Sequence, residues 1–141
     1  NKPKFKKKAA GPYADEIRYK GGEPIARKAK YITTTTVKGK GTTFACGSNI
    51  NQALDYIQRW GKEADIQWVV NNLKFKKVDD LELLATVDMA ICDLDEAGIP
   101  ISVDTIKSLI ATNAEWQAKL KKQSFSDTNI AKAIKELQTL L

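Results

Sequence analysis

The residues of this chain best suited to a chemical task are the lysines and arginines near its N-terminus. Residues 1–45 contain twelve Lys and Arg against three Asp and Glu, a net charge of +9, whereas residues 46–141 carry eleven against fourteen, a net charge of −3. Such an asymmetry is typical of proteins that bind a polyanion, because ammonium and guanidinium groups neutralise phosphates. We therefore predict that nucleic acid contacts Lys2, Lys4, Lys6, Lys7, Lys8, Arg18, Lys20, Arg27, Lys28, Lys30, Lys38 and Lys40.

Aromatic residues are interleaved with these cations. Phe5, Tyr13, Tyr19 and Tyr31 lie among them, and aromatic rings stack on unpaired bases. Lysine outnumbers arginine in this region, which favours contacts to the phosphate backbone over readout of base edges. The composition leaves the choice between DNA and RNA open.

A cluster of acidic residues follows in the middle of the chain. Residues 79–104 hold eight carboxylates and neither Lys nor Arg. This density of like charge is unfavourable, so we expect either the basic N-terminus or a protein partner, including a second copy of the chain, to cover it. The residues assigned to such a protein contact are Asp88, Asp93, Asp95 and Glu96.

The composition argues against an enzyme. Histidine is absent, which excludes Ser-His-Asp and Cys-His catalytic groups and His-ligated zinc. The spacing Asp93-x-Asp95-x-x-Gly98 begins like a calcium loop but places Asp104 where the bidentate Glu belongs, and Gly39-Lys40-Gly41 lacks the spacing of a phosphate loop. We therefore expect no catalytic site, no bound metal and no cofactor.

Cysteine and apolar content indicate the environment of the chain. Two cysteines, Cys46 and Cys92, do not make the disulfide framework of a secreted domain, and Cys92 in an apolar helical stripe is expected to be a buried thiol. No apolar run has the ~18–20 residues of a membrane span, and none follows the lysines at the N-terminus as a signal peptide requires. We predict a cytoplasmic protein with no membrane partner.

The N-terminal third is predicted to be an arm followed by β-structure. Residues 1–12, with their five lysines, are expected to form an extended arm. The β-branched run over 30–37, a Gly-Lys-Gly turn and the return over 42–46 predict a hairpin. An earlier strand is expected near 16–20 or 25–30.

The remainder is predicted to be helical. Apolar residues recur at helical spacing over 50–57, 63–73, 79–97, 102–110 and 126–141, although 63–73 also admits a strand. Ser102 and Ser126 are candidate N-caps, and Leu84, Ile91 and Leu94 are candidate core residues. The fold class is therefore α+β, a small antiparallel hairpin or sheet followed by a helical bundle of four to six helices, with residues 13–141 as one domain (13–46 β-rich, 47–141 helical).

The order of helices over 98–137 resembles the helix-turn-helix modules of phage and plasmid regulators. Residues 113–123 add a helical segment that such modules lack, so a DNA-reading pair and ordinary helix packing both stay open. The sequence as a whole favours a small non-enzymatic nucleic-acid-binding protein of phage, plasmid or viral type, or a subunit of a nucleoprotein assembly. The alternative is a protein-interaction factor that modulates a larger complex such as a polymerase.

Overall fold

The structure is a computed structural model that describes residues 3–141. It contains two separate antiparallel hairpins and a succession of helices. The α+β class predicted from the sequence is confirmed, and five α-helices follow residue 46. In chain order the elements are β1 (Lys6–Lys8), β2 (Gly11–Tyr13), α1 (Asp15–Lys20), α2 (Gly22–Lys28), β3 (Ile32–Val37), β4 (Gly41–Cys46), α3 (Ile50–Arg59), α4 (Glu63–Leu73), α5 (Val78–Glu96), α6 (Val103–Thr112), 3-10 helices at Gln117–Lys121 and Gln123–Phe125, and α7 (Asp127–Leu140).

The chain divides into two compact units. The first unit contains Ala14–Lys74 together with Pro3 and Lys4. The second contains Phe5–Tyr13 and Phe75–Leu141, so the first hairpin belongs with the C-terminal helices.

The hydrophobic core of the second unit lies between α5, α6 and α7. The apolar stripe of α5 supplies Leu84 and Leu94, which are buried as predicted, while Ile91 is half-buried against the same core. Trp116 and Phe125 from the 3-10 segment are almost completely buried beside them. Removing apolar surface from water contributes about 25 cal/mol per Å² to the free energy of unfolding, so this cluster is the main source of stability of the unit.

The caps predicted for α6 and α7 are present. Ser102 accepts a hydrogen bond from the Thr105 amide at 3.1 Å, and the Thr105 hydroxyl accepts one from the Ser102 amide at 2.9 Å, which makes a capping box. Ser126 accepts a hydrogen bond from the Asn129 amide at the start of α7. The 3-10 helices occupy the interval between α6 and α7, where a helix-turn-helix pair would have a short turn.

Residues 6–13 are a hairpin rather than part of the expected extended arm. β1 and β2 pair in the register Lys6 with Tyr13 and Lys8 with Gly11. Gly11 is buried with φ of 121°, and a Cβ there would lie 3.6 Å from the Thr86 hydroxyl of α5. The backbone of this turn therefore suits glycine and fits closely on α5.

The prediction of a strand near 16–20 or 25–30 is wrong, because residues 16–20 lie in α1 and residues 25–28 lie in α2, which a turn at 29–30 follows. Asp15 and Glu16 lie in the first turn of α1, where the helix dipole favours carboxylates, and Lys20 lies in its last turn. Pro24 falls in the first turn of α2, where its missing amide hydrogen costs no helical hydrogen bond. The β-structure of residues 13–46 is thus limited to the end of β2 and to the hairpin β3–β4.

The predicted hairpin β3–β4 is confirmed, with Thr34 opposite Phe44 and Thr36 opposite Thr42. Most of its side chains on both faces are exposed. Within the described part of the first unit, Ala14 is the one apolar side chain that is buried, and α3 and α4 contain none. This unit therefore has amphipathic elements without a core of its own.

Candidate nucleic-acid interface

The cations predicted to bind nucleic acid fall into two structural groups. Lys4, Lys6, Lys7 and Lys8 lie in or next to the hairpin β1–β2, and the remaining cations lie on α1, α2 and the hairpin β3–β4 of the first unit. Lys2 was also predicted and lies outside the described residues.

Part of the first group interacts with the acidic helix α5 and the core. The Lys7 ammonium pairs with Asp93 and lies 5.4 Å from the centre of the Trp116 ring. The Trp116 indole N–H donates to the carbonyl of Lys8 at 2.9 Å, and the Lys8 ammonium lies 3.8 Å from Glu115. Lys7 is therefore a partner of the protein's own acidic helix in this structure.

A buried ion pair anchors the turn of the same hairpin. The Lys119 side chain is 2% exposed, and its ammonium donates to Glu82 and, at 2.6 Å, to the carbonyl of Ala9. Burial alone would raise the pKa of Glu82, but hydrogen bonds and charge from Lys119 and Lys122 outweigh it and hold that pKa below its usual value. The sequence analysis missed this pair, because lysine is seldom buried and nothing in the local pattern marks it.

The four acidic residues assigned to a protein contact lie along the C-terminal half of α5. Asp88 is half-buried and lines a small apolar pocket of about 320 Å³ with Phe5 and Met89. Asp93 binds Lys7, whereas Asp95 and Glu96 are exposed near the end of the helix.

Cys92 lies among these carboxylates and is exposed, so the expectation of a fully buried thiol is wrong. Cys92 lies on the solvent-facing side of α5, whereas its neighbour Ile91 packs against the core as predicted. Partial burial raises the pKa of the Cys92 thiol, and the nearby charges of Asp88 and Asp93 raise it further. A thiol in this setting is a weak nucleophile.

In the second group of cations, two arginines share one carboxylate. Glu23 lies 3.8 Å from Arg18 and 4.0 Å from Arg27, and all of these side chains are at least one-third exposed. Surface ion pairs of this length are weak and screened by salt, so the positive charges of both arginines remain able to attract a polyanion. Lys20 is exposed and pairs with no carboxylate of residues 3–141.

Four lysines flank the hairpin β3–β4 and are called the hairpin lysines here: Lys28, Lys30, Lys38 and Lys40. All four are exposed, and none forms an ion pair within the described part of the chain. Lys28 and Lys30 lie just before β3, and Lys38 and Lys40 occupy the turn, so the two pairs lie at opposite ends of a hairpin about 20 Å long.

Lys30 has φ of 61°, the left-handed region, at the position after the C-cap of α2. Glycine is the usual residue there, and a side chain in this conformation costs about 1–2 kcal/mol. A lysine at such a site motivates a functional hypothesis for its charge.

The surface of the hairpin is polar with one aromatic ring. The Thr36 and Thr42 hydroxyls are 3.1 Å apart on the face that also carries Phe44, which is 58% exposed. Phe44 was not among the predicted aromatic contacts, although its position directly after Thr42 and Thr43 on a strand could have indicated a solvent-facing ring. Hydroxyls of this kind contact phosphates, and an exposed ring can stack on a base.

No protein-family model, curated protein or solved structure matches this chain. In the part of the chain that is described, none of the helices combines the length and the apolar character needed to cross a bilayer. Likewise, residues 3–141 contain no group of three or more Cys, Asp or Glu side chains placed to hold a metal ion.

Proposed function

We propose that this protein binds the phosphate backbone of a nucleic acid through the hairpin β3–β4 and the end of α2. The observation that supports this most directly is the exposed and unpaired state of the hairpin lysines. Lysines that face solvent without a carboxylate partner are available to a polyanion, and such contacts contribute affinity without reading sequence.

The distribution of charge between the units supports the same surface. The second unit, including Lys6, Lys7 and Lys8, has eleven basic and eleven acidic residues and is neutral. Residues 14–45 have seven basic and three acidic residues, a net charge of +4. The surplus positive charge that would attract phosphates is therefore concentrated around the hairpin β3–β4 rather than on β1–β2.

The length of the hairpin sets the scale of the contact. Its ~20 Å matches about six base pairs of duplex at ~3.4 Å each, or a similar run of an unpaired strand, so four lysines can each reach a different phosphate. The slope of log K against log salt should then be about −3.6 for duplex and about −2.8 for a single strand. Raising salt from ~50 to ~200 mM should weaken binding roughly 150-fold for duplex and roughly 50-fold for a single strand.

The test is fluorescence anisotropy with a labelled 20-nucleotide strand and a 20-base-pair duplex over that salt range. Replacing all four hairpin lysines by alanine should flatten the slope by about 3.6 units on the duplex or by about 2.8 units on the single strand. The matched control is Lys132→Ala with Lys135→Ala, which removes exposed lysines of α7 in the neutral second unit and should leave the slope nearly unchanged. Absence of binding to both probes at ~50 mM salt, or an unchanged slope in the quadruple variant, would refute the proposal.

A further inference from the structure

The helices α3 and α4 present apolar stripes that are not packed against a core. Leu54 is 54% exposed, and Val69 is 49% exposed. The apolar face is defined here as the two stripes together, Ile50, Ala53, Leu54, Ile57, Ile66, Val69, Val70 and Leu73. None of these side chains is buried.

The two stripes meet in one place. A groove of about 580 Å³ runs between the helices, and its apolar lining comes from Leu54 and Ile57 on one side and Ile66 on the other. The Trp60 ring, 70% exposed and stacked on Tyr56 at 5.5 Å, adjoins the end of the α3 stripe. Leu54, Ile57 and Ile66 therefore share one groove, unlike single scattered apolar side chains, which would need no explanation.

Two helices as short as α3 and α4 are not expected to be stable in water with their apolar stripes exposed. α3 has 10 residues and α4 has 11, and isolated helices shorter than about 12–15 residues are marginal, because most helical stability comes from packing of the apolar face. The regular spacing of both stripes indicates that they are packed in the working form of the protein.

We infer that the apolar face is covered by the same face of a second copy of this chain, in a two-fold symmetric dimer. The exposed apolar area of the stripes and Trp60 is about 400–500 Å². Apolar atoms supply about 60% of a typical interface, so the whole face approaches the ~800 Å² that each partner contributes to a standard interface.

The charges around the face favour a second copy over a strongly charged partner. Residues 46–74 contain three basic and three acidic residues, so two copies do not repel each other. Asp55 and Glu63 line the groove, and Arg59 and Lys62 lie between them in the sequence. In a two-fold contact the acidic and basic residues of one copy face those of the other, whereas a strongly charged partner would meet no net opposite charge.

This dimer does not depend on the proposed nucleic-acid contact, since it uses none of the hairpin lysines. It also differs from the protein contact predicted for Asp88, Asp93, Asp95 and Glu96, which lies on α5 in the second unit. Binding of nucleic acid and dimerisation can therefore fail or succeed separately.

The experiment is sedimentation equilibrium of the full chain between ~1 and ~100 μM, in salt without nucleic acid. The expected species at the upper end has about twice the 15.6 kDa mass of one chain. Leu54→Glu with Val69→Glu should raise the dimer Kd at least about 100-fold, because each charge is buried twice in a symmetric interface. The matched control is Val78→Glu, which places the same charge on an 80% exposed valine at the start of α5 and should leave the Kd unchanged.

Hydrogen exchange on the wild-type chain keeps the inference testable if the double variant does not fold. On dilution from ~100 to ~1 μM, amides of residues 50–73 should lose protection while those of residues 83–94 keep theirs. A chain that stays monomeric at ~100 μM, or a dimer whose dissociation leaves residues 50–73 unaffected, would overturn the inference.

Discussion

The buried ammonium of Lys119 offers the sharpest test of how the second unit holds its N-terminal hairpin. Lys119→Met keeps the length and most of the volume of the side chain but removes its charge. Glu82, whose side chain is 10% exposed, would then keep only the partly exposed Lys122 at 3.1 Å, and the Ala9 carbonyl would lose its donor. Breaking a buried pair costs about 3–5 kcal/mol, and because Lys122 remains we expect a loss of about 3 kcal/mol.

The assay is urea unfolding followed by the fluorescence of Trp116. Trp60→Phe and Trp68→Phe in the parent chain leave this buried tryptophan as the one indole reporting, and it contacts the hairpin directly through the Lys8 carbonyl. At a slope of about 1–2 kcal/mol per molar urea, a loss of ~3 kcal/mol moves the midpoint by about 1.5–3 M.

Lys122→Met is the matched control, because Lys122 binds the same carboxylate from a half-exposed position. Its loss should be under about 1 kcal/mol. Adding Glu82→Leu to Lys119→Met should recover part of the stability, since no unpaired charge is then left buried. Equal losses from Lys119→Met and Lys122→Met, or a loss below ~1 kcal/mol from both, would show that the pair does not anchor the hairpin.

Three further outcomes are expected of the second unit. Folding lowers the pKa of Glu82, so the stabilisation from its carboxylate is complete above pH ~4.5 and is lost as the pH falls through the folded pKa. Between pH 6 and 3, the urea midpoint should therefore fall less steeply for Glu82→Gln than for the parent. Leu94→Ala should cost about 2–4 kcal/mol and Asp95→Ala less than ~0.5 kcal/mol by the same assay, and the reverse order would place the wrong face of α5 inward. Asp88→Asn removes a charge that raises the pKa of Cys92, so iodoacetamide at pH 8 should alkylate Cys92 faster in that variant, and an unchanged rate measured by mass spectrometry would contradict this origin of the shift.

The long helices could be predicted from sequence because their apolar periodicity extends over many residues. The stripe of α5 places Leu84 and Leu94 in the core, and Ser102 and Ser126 cap their helices through local hydrogen bonds. These features depend on residues three or four positions apart, which a single sequence displays directly.

The short elements could not be predicted in the same way. The segment Asp15–Lys20 alternates apolar and polar residues, and six residues are too few to separate a helical from a strand period. The charge order of α1, acidic first and basic last, was the signal that favoured a helix.

Contacts between residues that are far apart in the sequence could not be predicted either. The cluster of lysines near the N-terminus indicated an arm for nucleic acid, yet Lys7 pairs with Asp93, 86 positions away. The basic N-terminus was one of the two candidates predicted to cover the acidic helix, but the sequence could not identify which of its lysines would do so. That assignment depends on the register of β1 with β2 and on the fit of Gly11 against Thr86.

The hairpin β1–β2 also has a consequence for biosynthesis. Its anchors, Trp116 and Lys119, lie 108 and 110 positions beyond the carbonyls to which they donate. At about 5–20 residues per second, the ribosome makes the hairpin roughly 5–20 s before it makes these anchors. Two strands of three residues have little stability alone, so the hairpin stays unfolded until the residues up to Lys119 have been translated. A chain that ends before Trp116 lacks both anchors, and its N-terminal lysines would stay free to bind any polyanion present.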